Sequence, residues 1–179
     1  MRWGTKPEQP QLDQAHPLAD GLIFAAPFVG PGGQLFARDI ALLKTVPTFT
    51  GFTGGEQRIT QLGRALLFSG AQRLNYVDDP AIFVPATITV AAWVYPTVNS
   101  TQDCAIARWG NGWRLGQGTV GGTFKFEIRV AGANTAAQSA TGFSINAWHL
   151  LVGTYDGANV KLYVDGVLVA TTARTGLPN

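Results

Sequence analysis

The chain has 179 residues, of which 46% are hydrophobic and only 13% are charged, and its formal net charge is +2. A domain of this length buries about 70% of the surface that its unfolded chain exposes, so it needs neither a disulfide nor a metal for stability. The balanced charge excludes the strongly basic surface of a nucleic-acid-binding protein. The low share of charged residues indicates that neighbouring molecules cover part of the surface.

The cysteine count and the first residues also narrow the class of protein. Cys104 is the only cysteine, which excludes an intrachain disulfide framework. The segment Met1–Glu8 lacks the apolar stretch of a secretory signal. No window approaches the ~18 apolar residues of a membrane span. We therefore expect a protein that is made in a cytoplasm and does not enter a membrane.

Residues 1–20 are the first predicted segment, an extended N-terminal arm. Three prolines, Pro7, Pro10 and Pro17, lie among polar residues, and each one fixes φ and removes a backbone donor. Two interpretations stay open, a frayed terminus and an arm that docks on a neighbouring subunit. Trp3 favours docking, because a large aromatic ring seldom stays exposed where it can be buried.

From Gly21 onward, apolar residues recur with a period of two, which predicts strands. The segment Phe124–Val130 places four apolar residues on one face and Lys125, Glu127 and Arg129 on a face that should be solvated. Further strands are predicted at Leu22–Phe28, Ala65–Phe68, Leu74–Val77, Ala105–Trp109, Gly112–Leu115, Val160–Val164 and Leu168–Thr172.

Two other segments, Ile88–Tyr95 and Trp148–Tyr155, are apolar on both faces. Runs of this kind are typical of central strands that are covered on two sides. These two runs contain Trp93 and Trp148.

Short turns separate the predicted strands. Asp165-Gly166 is a two-residue hairpin signal, because a type I′ turn needs positive φ at both central residues. Asp156-Gly157 is similar, and we expect both aspartates to accept hydrogen bonds from their own turns. Strands and turns together predict an all-β domain, either a sandwich or a barrel.

Four segments of the sequence carry a family resemblance: Gly63–Val77, Thr87–Pro96, Trp148–Gly157 and Val160–Ala170. They resemble laminin-G-like domains of the concanavalin A-like lectin/glucanase superfamily, and the resemblance extends over residues 18–179. It implies an antiparallel two-sheet jelly-roll sandwich over residues 21–179, with one concave face. It also implies that Trp93 and Trp148, which lie in strands that match the family core, pack in that core.

In that family, further strands follow the segment that matches Val160–Ala170. The resemblance therefore implies that the last strands of the jelly roll are missing here, and that strands matching Gly21–Phe28 lack a partner. We expect the natural chain to continue beyond Asn179. Two alternatives would also explain the missing strands. A neighbouring chain could donate a strand, or the fold could close differently.

The segment His16–Leu22 is similar to the segment that leads into the first strand of laminin-G-like proteins encoded by bacteriophages. This resemblance implies a non-enzymatic virion structural protein, such as a capsid decoration, head-fibre or tail module. Its partners would be other virion proteins or copies of itself, with glycan contacts also open. The alternative function is a carbohydrate-binding module of a larger protein.

Catalytic residues are not predicted. Retaining glucanases of the same superfamily carry two strand glutamates, whose carboxyl groups must lie ~5 Å apart. Glu8, Glu56 and Glu127 are the only glutamates, and they do not form such a motif. His149 is expected to be a hydrogen-bonded strand residue. Zinc would need three or four clustered ligands, and the sequence offers no such spacing, so no cofactor is expected.

Calcium is the one metal that the resemblance leaves open, since laminin-G-like domains often bind it. Calcium takes six to eight oxygen ligands. The spare loop carboxylates that could supply them are Asp39, Asp78, Asp79 and Asp103.

The candidate contact residues are centred on a glycine-rich turn. Trp109 and Trp113 flank Gly110-Asn111-Gly112, and Arg114 follows directly. Aromatic, amide and guanidinium groups around a turn could stack on a sugar or anchor a protein interface, and a plain hairpin capped by its own aromatics is the alternative. We predict Trp109, Asn111, Trp113 and Arg114, with Trp3, as contact residues.

Overall fold

The computed structural model describes residues 47–54, 56–60, 63–70, 72–75, 86–101, 104–107 and 112–178. The chain divides into two compact units, Met1–Asp79 and Pro80–Asn179. Regular structure in the described ranges is entirely β-strand, and none of these residues belongs to a helix that could cross a membrane. The predicted arm and the strand Leu22–Phe28 lie outside these ranges, so the division into an arm and one domain stays a prediction.

The unit Met1–Asp79 contains four short described strands in two antiparallel pairs. Strand β1 (Thr48–Thr50) pairs with β4 (Arg73–Asn75). Strand β2 (Gln57–Thr60) pairs with β3 (Gly63–Leu66). The prediction placed strands over β3 and β4 but missed β1 and β2, which are only three and four residues long.

Glu56 stabilises the turn that precedes β2. Its carboxylate accepts hydrogen bonds from the backbone N–H groups of Thr53 and Gly54 and from the Thr53 hydroxyl, each at 2.8 Å. The hydrogen bond from the Thr53 backbone is the main cause that lowers the pKa of Glu56. Glu56 therefore holds a loop together and is not a free catalytic acid.

The unit Pro80–Asn179 contains two antiparallel sheets of four described strands each. Sheet one has the strand order β6 (Cys104–Ala107), β7 (Trp113–Gln117), β8 (Phe124–Val130) and β9 (Ala133–Gln138). Sheet two has the order β12 (Val167–Ala173), β11 (Asn159–Val164), β10 (His149–Tyr155) and β5 (Ile88–Val94).

The core of this unit lies between the two sheets. Phe126 and Ile128 of β8 face Leu151 and Tyr155 of β10 and Leu162 of β11, and all five are almost completely buried. The predicted alternation over Phe124–Val130 and Val160–Val164 is confirmed. The prediction of an antiparallel β-sandwich is likewise confirmed for this unit.

Gly153 in β10 lets the two sheets approach closely. A Cβ atom at this position would lie 2.2 Å from Cγ of the Phe126 ring. The residue lies in a core-facing position of its strand, between Leu151 and Tyr155. Only glycine therefore fits opposite the phenylalanine in this packing.

The predicted aspartate turns form as expected. Asp165 and Gly166 have φ values of 52° and 83°, which are the positive angles of a type I′ hairpin turn. Asp156 Oδ1 accepts hydrogen bonds from the backbone N–H groups of Ala158 at 2.9 Å and Asn159 at 2.7 Å. Its Oδ2 accepts one from Lys161 Nζ at 2.8 Å.

The Asp156 turn should make the stability of the protein sensitive to acid. The Lys161 hydrogen bond and the two backbone N–H groups lower the pKa of Asp156 below its ordinary value of 3.8. A lowered pKa means that the turn stabilises the fold fully above about pH 3.8 and loses this contribution as pH falls through the folded-state pKa. We expect Asp156→Asn to lower the melting temperature at pH 7, with a difference from wild type that shrinks below pH 4. A difference that stayed constant from pH 7 to pH 2 would contradict this interpretation.

Lys125 departs from its prediction as a solvated residue. Only 2% of it is exposed, although it lies on the face of β8 opposite the core. Its cross-strand neighbours are Gly116 and Gln138. Because Gly116 has no side chain, the lysine stem can lie against the sheet, and its ammonium group reaches Glu127 at 3.4 Å. The alternating pattern predicted the correct face of β8 for Lys125, but it did not predict that this side chain is buried.

The last described residues form a strap, residues 174–178, that touches both sheets. Arg174 donates from Nη2 to the carbonyl oxygen of Val130 in β8, and Pro178 forms a β-bridge with the same residue. The Tyr155 hydroxyl of β10 donates to the carbonyl oxygen of Gly176. Pro178 is fully buried. The strap therefore joins one strand of each sheet.

Candidate functional site

The outer face of sheet two carries exposed aromatic rings. Val90, Ala92 and Val94 of β5 face the core, so the alternate residues point outward. Among these, Trp93 is 55% exposed, and Tyr95 just beyond the strand is 44% exposed. The prediction that Trp93 belongs to the core is wrong. Its strand is apolar on both faces, and such a pattern does not show which face is covered.

A third ring, that of Trp148, completes this cluster, which we call the aromatic corner. The antiparallel register pairs Trp93 with Leu150 and Val94 with His149, which places Trp148 beside Tyr95. The ring centroids of Tyr95 and Trp148 are 5.4 Å apart, with planes inclined by 59°. Trp148 is partly buried. The sequence-based prediction included Trp148 but assigned it to the core.

The surroundings of the aromatic corner carry little charge. The outward-facing neighbours on β10 and β11 include Leu150, Val152, Thr154 and Tyr163, all partly buried. Among the described outward-facing residues of β5, β10 and β11, Lys161 is the one that carries a charge. Its ammonium group is paired with Asp156, so the described residues of these three strands offer aromatic and hydroxyl groups but no free cation on this face.

His149 lies beneath this face, on the core side of β10, and is 6% exposed. Its Nδ1 donates to Asp165 Oδ2 at 2.8 Å, and its Nε2 lies 3.0 Å from the carbonyl oxygen of Ser144. The rings of Phe124 and Phe143, which stack on each other, both contact its ring edge to face. The prediction of a hydrogen-bonded strand histidine is confirmed.

Ser144, His149 and Asp165 have the residue types of a hydrolase triad but not its geometry. The Ser144 hydroxyl lies 3.4 Å from Nε2, whereas the carbonyl oxygen of the same residue lies closer. A general base must accept the proton of its nucleophile along a short hydrogen bond. Because Nε2 is directed at a carbonyl oxygen, this group fixes a loop and does not activate the serine.

Asp165 links this histidine to the hairpin turn. Partial burial tends to raise its pKa, but the hydrogen bonds from His149 and from the Leu150 backbone outweigh that effect and lower it. The Leu150 N–H donates to Oδ1 at 2.8 Å. The ionised carboxylate therefore holds the start of β10 against the turn between β11 and β12.

The outer face of sheet one carries a second polar group, centred on Glu127. Arg114 Nε lies 2.7 Å from Glu127 Oε1, and Lys125 Nζ lies 3.4 Å from Oε2. The Glu127 side chain is only 12% exposed. Both of its oxygens are thus engaged by cations, which leaves no free carboxylate at this position.

The predicted contact residues are only partly placed. Trp113 packs against the core from β7, and Arg114 lies on the opposite face, paired with Glu127. Trp3, Trp109 and Asn111 lie outside the described residues. The two described members, Trp113 and Arg114, therefore lie on opposite faces of β7, and the contact role of the set stays a prediction.

The calcium candidates Asp39, Asp78, Asp79 and Asp103 also lie outside the described residues. Within the ranges that are described, no group of three or more His, Cys, Asp or Glu side chains is arranged to hold a metal ion. Calcium binding stays a prediction.

The sequence matches a known protein family over more than half of its length. Residues 69–179 match a laminin G family whose description is the concanavalin A-like lectin/glucanases superfamily. The chain belongs to this superfamily. No curated protein and no solved structure gave a significant match. The match covers the segments that carried the resemblance from Leu74 onward.

Proposed function

We propose that this chain is a non-enzymatic structural protein of a bacteriophage virion, and that its laminin G domain makes contacts with neighbouring molecules. The observation that carries the contact function is the outward exposure of Trp93 and Tyr95 on one sheet face. Large exposed aromatic rings are typical of binding surfaces. The low charged fraction of 13% supports a surface that neighbours cover.

The assignment to a virion is supported by the similarity of His16–Leu22 to the segment that leads into the first strand of bacteriophage laminin-G-like proteins. In that setting the partners are other virion proteins or copies of this chain. The chain would act as a capsid decoration, head-fibre or tail module. Mass spectrometry of purified particles of the encoding phage should detect it in a fixed ratio to the major capsid protein. Its absence from purified particles would overturn the virion assignment.

The non-enzymatic part of the proposal is supported by the state of Glu127. A retaining glycosidase needs two carboxyl groups ~5 Å apart, one of them free to attack. Glu127 is instead bound by Arg114 and Lys125. It is the one carboxylate among the described outward-facing residues of β7, β8 and β9.

The chain should release no reducing sugar from β-glucans above a blank without protein. Glu127→Gln is the matched control, because it removes the charge of this carboxylate and keeps its shape. Wild type and variant should be indistinguishable in a reducing-end assay with an overnight incubation. Release by wild type that Glu127→Gln abolishes would refute the proposal.

A carbohydrate-binding module of a larger protein is the second candidate function. The aromatic corner favours it, because rings that face outward beside hydroxyl-bearing residues suit a sugar as well as a protein. The neighbouring genes separate the two settings. Portal, protease or major capsid genes beside this gene would support the virion, and glycosidase genes would support the carbohydrate-binding module.

A further inference from the structure

We propose that one end of the sandwich in the unit Pro80–Asn179 is the interface through which two copies of this chain associate. We call this surface the apolar end. It comprises three loops and the strand ends that meet them: residues 95–101, 118–123 and 139–147, Trp93, Val167 and Leu168. The inference rests on the proposed contact function, and it names a second copy of the chain as the partner.

The exposed hydrophobic residues of this unit are concentrated at the apolar end. Eight large hydrophobic residues are exposed among the described residues of the unit, and Leu177 in the strap is the one that lies elsewhere. The other seven belong to the apolar end and have exposed fractions between 39% and 63%: Trp93, Tyr95, Val98, Val120, Ile145, Val167 and Leu168. Single exposed hydrophobic residues are ordinary, but a cluster of them marks an interaction site.

Backbone hydrogen bonds join the three loops to one another. The Asn146 N–H, in the loop of residues 139–147, donates to the carbonyl oxygen of Pro96 at 2.8 Å. From the same loop, the Phe143 N–H donates to the carbonyl oxygen of Gly122 at 2.7 Å. Ordering a flexible loop on association costs free energy. Because these loops are already tied together, the apolar end is a preorganised surface.

The area of the apolar end matches a stable dimer. Two aromatic and five aliphatic side chains, each about half exposed, present on the order of 500 Å² of apolar surface. A standard protein interface takes ~800 Å² from each partner, and ~60% of that area is non-polar, which is about the same amount. A contiguous apolar patch of this size is at the upper end of what a monomeric protein exposes.

The charge of the apolar end favours a second copy as the partner. Within the described residues 95–101, 118–123 and 139–147, the loops contain no Asp, Glu, Lys or Arg. A symmetric dimer places the same patch on both sides of the interface, so a charged patch would bring like charges together. In the adjoining turn, the Asp165 carboxylate is already engaged by His149 and by the Leu150 backbone. The apolar end therefore faces its own copy without repulsion.

A lipid surface is less well matched to the apolar end than a second copy. Proteins that lie on membranes combine apolar residues with lysine or arginine, which attract anionic lipids. The loop residues described here supply no such cation. Vesicle binding is nevertheless an outcome that the test distinguishes.

Sedimentation velocity of the full chain over about 1–100 µM tests the proposal, because interfaces of this size bind at micromolar concentrations or tighter. We expect the wild-type chain to be dimeric at the upper concentrations. Val98→Glu and Val120→Glu each place a carboxylate in a different loop of the apolar end. Each should raise the dimer Kd about tenfold or more. Two loops keep the test valid if one variant fails to fold.

Leu177→Glu is the matched control. Leu177 is 64% exposed, close to the 62% of Val98, but it lies beside Pro178, which bridges to Val130 at the opposite end of β8. This variant should dimerise like wild type. Equal loss of the dimer in all three variants would contradict the proposal.

A wild-type chain that stays monomeric at about 100 µM would overturn the proposal, since a standard-size interface would be occupied there. If that monomer sedimented with phosphatidylcholine vesicles, the apolar end would instead be a membrane contact. A monomer that is recovered in virions would overturn this inference alone. A dimer that is absent from virions would overturn the virion assignment alone.

Discussion

Replacement of Phe126 by alanine should lower the free energy of unfolding by about 3–5 kcal/mol. The side chain has no exposed surface and lies in the core between the two sheets. Its removal takes away the transfer free energy of a phenyl ring and leaves a cavity that two paired sheets can close only in part. Urea denaturation at pH 7 measures the change.

Val167→Ala is the matched control for this truncation. Val167 is a strand residue of the same unit, but it is 63% exposed, so its truncation should change stability by less than about 0.5 kcal/mol. Equal losses in Phe126→Ala and Val167→Ala would mean that the core does not lie where the alternating pattern places it.

Substitution of Gly153 by alanine should cost about 3 kcal/mol, at the upper end of the range for overpacked cores. The added Cβ would lie 2.2 Å from Cγ and 2.3 Å from Cδ2 of Phe126. Neither atom can move freely, because the phenylalanine ring is completely buried. Either the ring leaves its position or the two sheets separate locally, and both responses lose packing.

A double-mutant cycle identifies the cause of this loss. Phe126→Ala removes Cγ and Cδ2, the two ring atoms closest to the new methyl group. The double variant Gly153→Ala/Phe126→Ala should therefore be more stable than the sum of the single effects predicts, with a coupling of about 1 kcal/mol or more. Strict additivity would mean that Gly153→Ala acts through the backbone and not through this contact.

Strict alternation and turn chemistry made much of the fold predictable. The strand Phe124–Val130 was predicted with the bounds that the structure shows. The Asp165-Gly166 turn followed from the need for positive φ at both positions. Both predictions used signals that act within a few residues, where the sequence alone determines the geometry.

Strand β9 shows where local signals fail. The segment Ala133–Gln138 contains one threonine, but its other residues are three alanines, an asparagine and a glutamine, and alanine and asparagine are depleted in strands. It becomes a strand because Ala131 and Gly132, both with positive φ, return the chain beside β8. Pairing with a neighbour overrides weak propensity here, and a single sequence does not display that pairing.

The candidate site was harder to predict than the fold. A run such as Ile88–Val94 is apolar on both faces, so it predicts a strand but not which face is exposed. The family resemblance assigned Trp93 to the core, although it is 55% exposed. The signal that could have found it is the pairing of Trp93 with Leu150 and of Tyr95 with Trp148, which depends on the register between two distant strands.

The strap over residues 174–178 has a mechanical consequence. Tension that enters the domain at Pro178 passes to Val130 through the β-bridge and to Tyr155 through the hydrogen bond at Gly176. One of these strands belongs to each sheet, so a pull on the strap is shared between the two sheets. Neither sheet carries the whole load, as one would if the strap were attached to it alone.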